Sequence, residues 1–251
     1  MNQPQSPYGQ PVGASIPSEP SAYARATTIQ GKHITLKPLE AHHAMSLWTN
    51  LAFESHPENR ALFTYLPKPD PQTYAEFEEL IDEFITNPVR EVFVIVSPQA
   101  SPDASTDDVL GLITYLDILP ANRELEIGWV LFSPPLQRTI ASTECIYLLM
   151  HHAFETLQPP YRRVVWHCHS LNTASDRAAR RLGFVYEGTL RKHRVVKGRN
   201  RDTNLYAILD DEWEVVGGAL KAWLDDSNFV DGRQVRRLED IREEIKKTKG
   251  D

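Results

Sequence analysis

Apolar and polar positions along the chain fall into runs whose period changes several times. Over residues 28–38, Ile29, Ile34 and Leu36 alternate with polar neighbours well enough for a strand or strand pair around Gly31. Residues 40–53 set Ala44, Met45, Trp48 and Ala52 at helical spacing. A second helix is expected from Asp70-Pro71, a capping Asp with Pro at the first helical position. Tyr74, Phe77, Leu80, Ile81 and Phe84 make its apolar stripe. Residues 91–97, 109–119 and 125–132 then read as three strands in succession, with a polar loop of turn-formers over 97–108. The period returns to helical over 139–157, where Ile146, Leu149, Met150, Ala153 and Leu157 share one side. Residues 162–169 predict a strand, and 172–182 a short helix capped by Asn172 and stopped by Gly183. Strands at 184–192 and 204–209 are expected to join across a turn at Gly198. A helix over 212–224 follows, then a charged amphipathic helix over 233–248 with Val235, Leu238, Ile241 and Ile245 inward. No segment repeats.

Composition changes this picture at one end. Residues 1–26 hold five of the chain's 18 prolines and lack apolar periodicity, so a disordered tail is expected there. They contain neither the basic start nor the apolar core of a secretory signal. Across all 251 residues, 27 Lys and Arg against 34 Asp and Glu leave a net charge of −7, which argues against a general nucleic-acid binder. No apolar run approaches the roughly 20 residues that cross a bilayer, so no membrane partner is expected. Cys145 and Cys168 sit in apolar segments, which suits buried thiols in a reducing, cytoplasmic compartment.

Two strand-to-helix junctions carry the candidate chemistry. In the first, residues 125–145, an apolar strand ends at Ser133-Pro134-Pro135 and a loop of small and hydroxyl residues opens a helix. Unpaired N–H groups and the positive dipole end at such a start suit a phosphate, while Thr139, Ser142, Thr143 and Arg138 can add donors. A plain N-cap explains the same residues. The second junction, Asn172-Thr173-Ala174-Ser175, is followed by Arg-Leu-Gly-Phe at 181–184 and Tyr-Glu-Gly at 186–188. Lys-Gly-Arg-Asn-Arg-Asp-Thr at 197–203 then precedes an apolar strand.

Together these motifs resemble the GNAT acyltransferase superfamily, and within it the Rim-type branch that includes ribosomal-protein-alanine N-acetyltransferases. Glu-Ile-Gly-Trp at 126–129 is similar to that branch's fourth strand, and the likeness extends over about residues 28–213. It implies an α+β fold with a central mixed, mostly antiparallel sheet flanked by helices. The expected organisation is a tail at 1–26, an acetyltransferase domain at 27–213 and a helical C-terminal extension at 214–251. It implies acetyl-CoA as acetyl donor, an amine acceptor of unknown identity, no metal, and a monomer or homodimer. A silent CoA-binding or scaffolding protein of the same fold is the alternative.

The resemblance also assigns residues. Glu126 is the expected general base, with Glu124 as substitute and an ion pair to Arg123 as the structural alternative. Ser175 is the expected general acid toward the leaving thiolate, with Tyr186 as the second candidate. Backbone N–H groups over Val130, Leu131 and Phe132 would hold the developing oxyanion. Gln137, Arg138, Thr139, Ile140, Ala141, Ser142 and Thr143 form the pyrophosphate loop, with Asn172 and Arg180 as further cofactor contacts. That loop departs from the family's glycine pattern at Ile140 and Ser142. Two imidazoles on one strand face, His167 and His169, lack a second ligand pair at metal spacing. Trp129, Trp166 and Trp213 are expected in the core. The basic stretch 191–202 lies where the family admits its acceptor, and favours one carrying carboxylates or phosphates.

Overall fold

The computed structural model describes residues 4–98 and 107–250, so residues 99–106 of the expected polar loop lie outside the described residues. Eight strands form one sheet: β1 (Ile29–Gln30), β2 (Thr35–Pro38), β3 (Glu91–Val96), β4 (Val109–Leu119), β5 (Glu124–Phe132), β6 (Arg163–His169), β7 (Val185–Val196) and β8 (Arg199–Leu209). Their order is β1-β2-β3-β4-β5-β6-β8-β7, antiparallel throughout except for β5 beside β6. The exception follows from the connection: a parallel partner requires a crossover, which the helical run after Thr139 supplies. The fold is the α+β arrangement expected.

Both sheet faces are covered. On one side α1 (His43–Leu51) and α2 (Tyr74–Thr86) pack on Val92, Val94, Val96, Leu112 and Leu131. On the other, α3 (Ile140–His151), α4 (Thr173–Leu182), α5 (Asp210–Trp223) and α6 (Leu238–Gly250) share a core with Phe93, Ile95, Ile113, Tyr115 and Ile127. Successive residues of a strand face opposite sides, so β3 feeds both cores and reads as an unbroken apolar run.

Several boundaries differ from expectation. The second helix begins after Thr73, whose hydroxyl accepts from the Glu76 N–H, so Asp70-Pro71 belongs to the preceding loop. The last helix begins at Leu238 rather than near 233, because Arg233–Gln234 pairs with Phe229–Val230; Val235 is exposed. The strands flanking Gly198 run to Val196 and from Arg199, so the basic stretch is a long hairpin rather than an extended turn. Residues 4–20 are exposed or half-exposed, but Ser21 and Ala24 are already buried. The Ser21 hydroxyl donates to the Pro159 carbonyl at 2.6 Å, and the Ala26 N–H to Glu91 at 2.9 Å. At the other end Leu238 and Ile241 join the main core, and the Arg242 guanidinium donates to the Arg181 carbonyl at 2.8 Å.

Two irregularities shape the cleft. Strands β5 and β6 are paired only from Glu124 to Glu126 against Arg163 to Val165, and beyond that they diverge. In the same stretch of β5, Leu131 faces Leu112 and Gly128 faces Thr114, so Trp129 and Val130 together oppose Ile113. That is a β-bulge, with Trp129 at φ +47°, and it lies on the lip of the splay.

Candidate active site

The splay opens a cleft of about 330 Å³ between the β5–β6 divergence, the loop after the 3-10 helix Pro57–Phe63, and the β7–β8 hairpin. Glu126, Trp129, Val130, His167 and Ser175 all face it. Glu126 is the last β5 residue paired to β6, so its side chain emerges where the sheet opens. It is 8% exposed, and its Oε2 lies 2.7 Å from His167 Nδ1. A buried carboxylate is tolerated when hydrogen-bonded, and the imidazole meets that need. Arg123, the structural partner considered from sequence, does not bind Glu126: its guanidinium donates to the Pro17 carbonyl. Glu124 is held by Arg163 at 2.9 Å and does not line the cleft.

The gap at Gly128 gives the carboxylate its room. A Cβ there would stand 2.9 Å from Glu126 Oε1 and 2.8 Å from Leu116 Cδ1. His167 is the residue that sequence reasoning missed. The sequence pairs it with His169 on one strand face, whereas its partner is a carboxylate 41 positions earlier on the adjacent strand.

Across the cleft, Asn172 caps α4 by accepting from the Ser175 N–H at 3.1 Å. The Ser175 Oγ accepts from the Trp166 indole N–H at 2.9 Å, which fixes the oxygen and leaves its proton available to donate. Trp166 is therefore both core and site, and Trp129 lines the cleft, packed edge-on against Phe84 at 4.8 Å between ring centroids. Trp213 is buried in the main core as expected. Tyr186 is not brought to the cleft: it is exposed, and its hydroxyl sits 2.7 Å from Thr189 Oγ1. Val130 belongs to the bulge on the lip, while Leu131 and Phe132 are back in register with β4, outside the cleft.

Helix α3 begins beyond that strand end. Thr139 caps it, accepting from the Ser142 N–H at 3.2 Å. The hydroxyl protons of Thr139 and Ser142 go to the carbonyls of Leu136 (2.6 Å) and Thr139 (2.7 Å), so these hydroxyls serve the helix start. The amides of Ile140 and Ala141, at the first two helical positions, have no intrahelical partner. Both side chains pack against the main core, which is how Ile140 occupies a position where the family carries glycine. Arg138 takes φ +61°, and the Gln137 side chain turns back to the Phe132 carbonyl at 2.9 Å. Thr143 is buried and accepts from Arg181 at 3.2 Å. Arg180 stays exposed, paired with Asp176 at 3.1 Å beside the Tyr186 and Tyr206 rings.

Among the described residues, potential metal ligands converge at His42, His43 and Asp107, none of which lines the cleft. The Lys37 ammonium contacts both Asp107 oxygens, at 2.7 and 2.9 Å, and already neutralises that carboxylate. Among the described residues, no helix is long and apolar enough to cross a membrane.

A sheet splayed beside a bulge, with a helix N-terminus beyond it, forms an open cleft at the strand ends. The chain belongs to the GNAT acetyltransferase family: the profile described as "Acetyltransferase (GNAT) domain" matches residues 33–185. It is similar to a GCN5-related N-acetyltransferase from Brucella melitensis, with 35% identity over 90% of this chain and 98% of that one, and a TM-score of 0.81. A probable acetyltransferase from Chromobacterium violaceum ATCC 12472 gives 33% identity over 81% and 98% of the chains, with a TM-score of 0.70. The ribosomal-protein-serine acetyltransferase of Escherichia coli K12 is 32% identical over 105 residues, which cover 42% of this chain and 57% of that protein.

Proposed function

We propose that the protein transfers an acetyl group from acetyl-CoA to a primary amine, and that the pairing of buried Glu126 with half-buried His167 at the strand splay carries this reading. The residues present fit the donor. The free amides of Ile140 and Ala141 and the positive end of α3 suit a pyrophosphate, with Arg138 beside them. Bound acetyl-CoA supplies an acetyl thioester. An ammonium group cannot attack it, because a nucleophilic nitrogen needs its lone pair. The Glu126–His167 pair takes the proton, with the carboxylate orienting and stabilising the imidazolium that forms. The bulge at Trp129–Val130 presents backbone N–H where negative charge grows on the carbonyl oxygen. As the C–N bond forms and the C–S bond breaks, the Ser175 hydroxyl, held by Trp166, donates its proton to the sulfur, while the attacking nitrogen sheds its second proton to water, from which Ser175 is reprotonated.

The test is thiol release from acetyl-CoA across a panel of amines, paired with calorimetry of coenzyme A binding. Glu126→Gln, His167→Ala and Ser175→Ala should each lower kcat by about 10²-fold or more. The Glu126 and His167 losses should not add, because the two act as one unit. Full activity in all three would remove these roles. Absence of coenzyme A binding heat would remove the donor assignment.

A further inference from the structure

The cleft is cationic although the chain as a whole is acidic. Arg90, Arg194 and Arg201 line it against two carboxylates, Glu126 and Asp117, while burial and the neighbouring arginines disfavour the charged forms of the lining His169 and His193. Glu126 is already committed to His167, and Asp117 is exposed at the rim. Two of the guanidiniums show a specific deficit. Arg90 Nε and Nη1 and Arg201 Nε are shielded from solvent yet have no hydrogen-bond partner among the described residues. Unpaired charged donors out of water are costly, so arginines in this state call for an acceptor. Both are also positioned: Arg90 lies over the Phe84 ring at 5.1 Å, and Arg201 extends from β8 opposite Arg194 of β7. Burial lowers both guanidiniums, outweighing the opposing pull of Glu83 on Arg90 and of Glu126 on Arg201.

The cleft is also bridged. Lys197, at the hairpin tip, donates to the Phe63 carbonyl at 2.7 Å, and the Tyr65 ring packs tilted against His169 with centroids 5.1 Å apart. These contacts tie the hairpin and β6 to the loop on the opposite wall, leaving a confined space beside Glu126.

We propose that the amine accepted here carries an anionic group, a carboxylate or a phosphate, a few bonds from its nitrogen, and that Arg90 and Arg201 recognise that group. This rests on the cleft being the acceptor site of an N-acetyltransferase. The ammonium end of such a molecule approaches the Glu126–His167 pair while its anion supplies the acceptors the two arginines lack. A polycation meets only the first half, since its second cation would face guanidiniums rather than an acceptor. The same chemistry arises from a small amino acid or phosphorylated amine and from a peptide whose N-terminal residues are acidic.

Amines matched except for charge test the idea: β-alanine against β-alaninamide, phosphoethanolamine against ethanolamine, Ala-Asp-Ala amide against Ala-Asn-Ala amide, and spermidine as the cationic control. In thiol release, the anionic member of at least one pair should lead in kcat/KM by about tenfold or more, the value of one hydrogen bond to a charged group. The leading pair distinguishes the small from the peptide source. Arg90→Met and Arg201→Met should each collapse that ratio toward one, and Arg201→Lys should restore part of it. A purely structural arginine would slow both members equally and leave the ratio intact. Equal rates within every pair, preference for spermidine, or a ratio unchanged in both variants would overturn the inference while the acetyltransferase reading stands. If no amine is acetylated, calorimetry of the same pairs against the coenzyme A-saturated protein decides: tighter binding of the anion supports the inference, and equal or absent binding overturns it.

Discussion

Glu126 illustrates how one side chain's chemistry depends on what its neighbours lack. Its carboxylate lies low against β5 because Gly128, two residues along the same strand face, has no Cβ to exclude it. His167 then closes the contact from β6. Gly128→Ala should push the carboxylate away from the imidazole and lower kcat by about 10²-fold, the scale at which an ångström of misplacement acts. Coenzyme A affinity, measured by calorimetry, should be unchanged. A full-rate Gly128→Ala enzyme would show that the position of Glu126 does not matter. Asn172 was legible as a helix cap, whereas Glu126 and Ser175 came to notice through the resemblance of their motifs to the acyltransferase family. His167 escaped because its role depends on a partner distant in sequence, and a strand histidine carries no local mark of that partner.

At the scale of elements, the first two turns of α3 make two separate sets of contacts. Its N-terminus offers amides at Ile140 and Ala141, while Glu144, one turn on and buried, accepts from the N–H groups of Lys32, His33 and Ile34 at 2.8, 2.7 and 3.1 Å. The turn of the β1–β2 hairpin is thus built onto the helix whose start is the proposed donor site. Gly31 is required there, since a Cβ would lie 2.8 Å from both Glu144 Oε2 and the Ile34 carbonyl. Glu144→Ala strands three donors and should cost roughly 2–4 kcal/mol of stability in urea unfolding. A loss under about 0.5 kcal/mol, the range of ordinary surface changes, would mean that water replaces the carboxylate. The helical period around 146–153 was plain in sequence. The Glu144 contact was not, because a charged residue beside an apolar stripe reads as solvated.

At the scale of the molecule, burial couples stability to pH. His43 is held below the usual imidazole value of 6.5 by desolvation first and by neighbouring His42 second, outweighing Asp107 and Glu40. His152, packed against Tyr115, is lowered by desolvation and then by His151. For both, the unfolded chain binds a proton more readily than the folded one, so their contribution is complete above pH 6.5 and is lost as pH falls through the folded value. The melting temperature should therefore hold near pH 7 to 8 and decline below about 6.5, and His152→Gln should flatten that decline. An identical slope in His152→Gln would assign the acid sensitivity elsewhere.

What the sequence determined by itself was local and periodic: the elements, the Asn172 and Gly183 ends of α4, and motifs specific enough to name the family. Helix and strand periods are set by backbone geometry, so they survive in a one-dimensional reading. Only the tertiary structure decided which side chains share the cleft. It paired Glu126 with His167, turned Tyr186 away, and committed the Thr139 and Ser142 hydroxyls to their own helix. It also resolved the local basicity of residues 191–202 into particular groups. Lys197 ties the hairpin to the facing loop, and Arg201 lines the same cleft as Arg90 of a distant loop, both with donors unmet. Such partnerships arise where the sheet splays and two remote segments meet over it, and no period along the chain records that meeting.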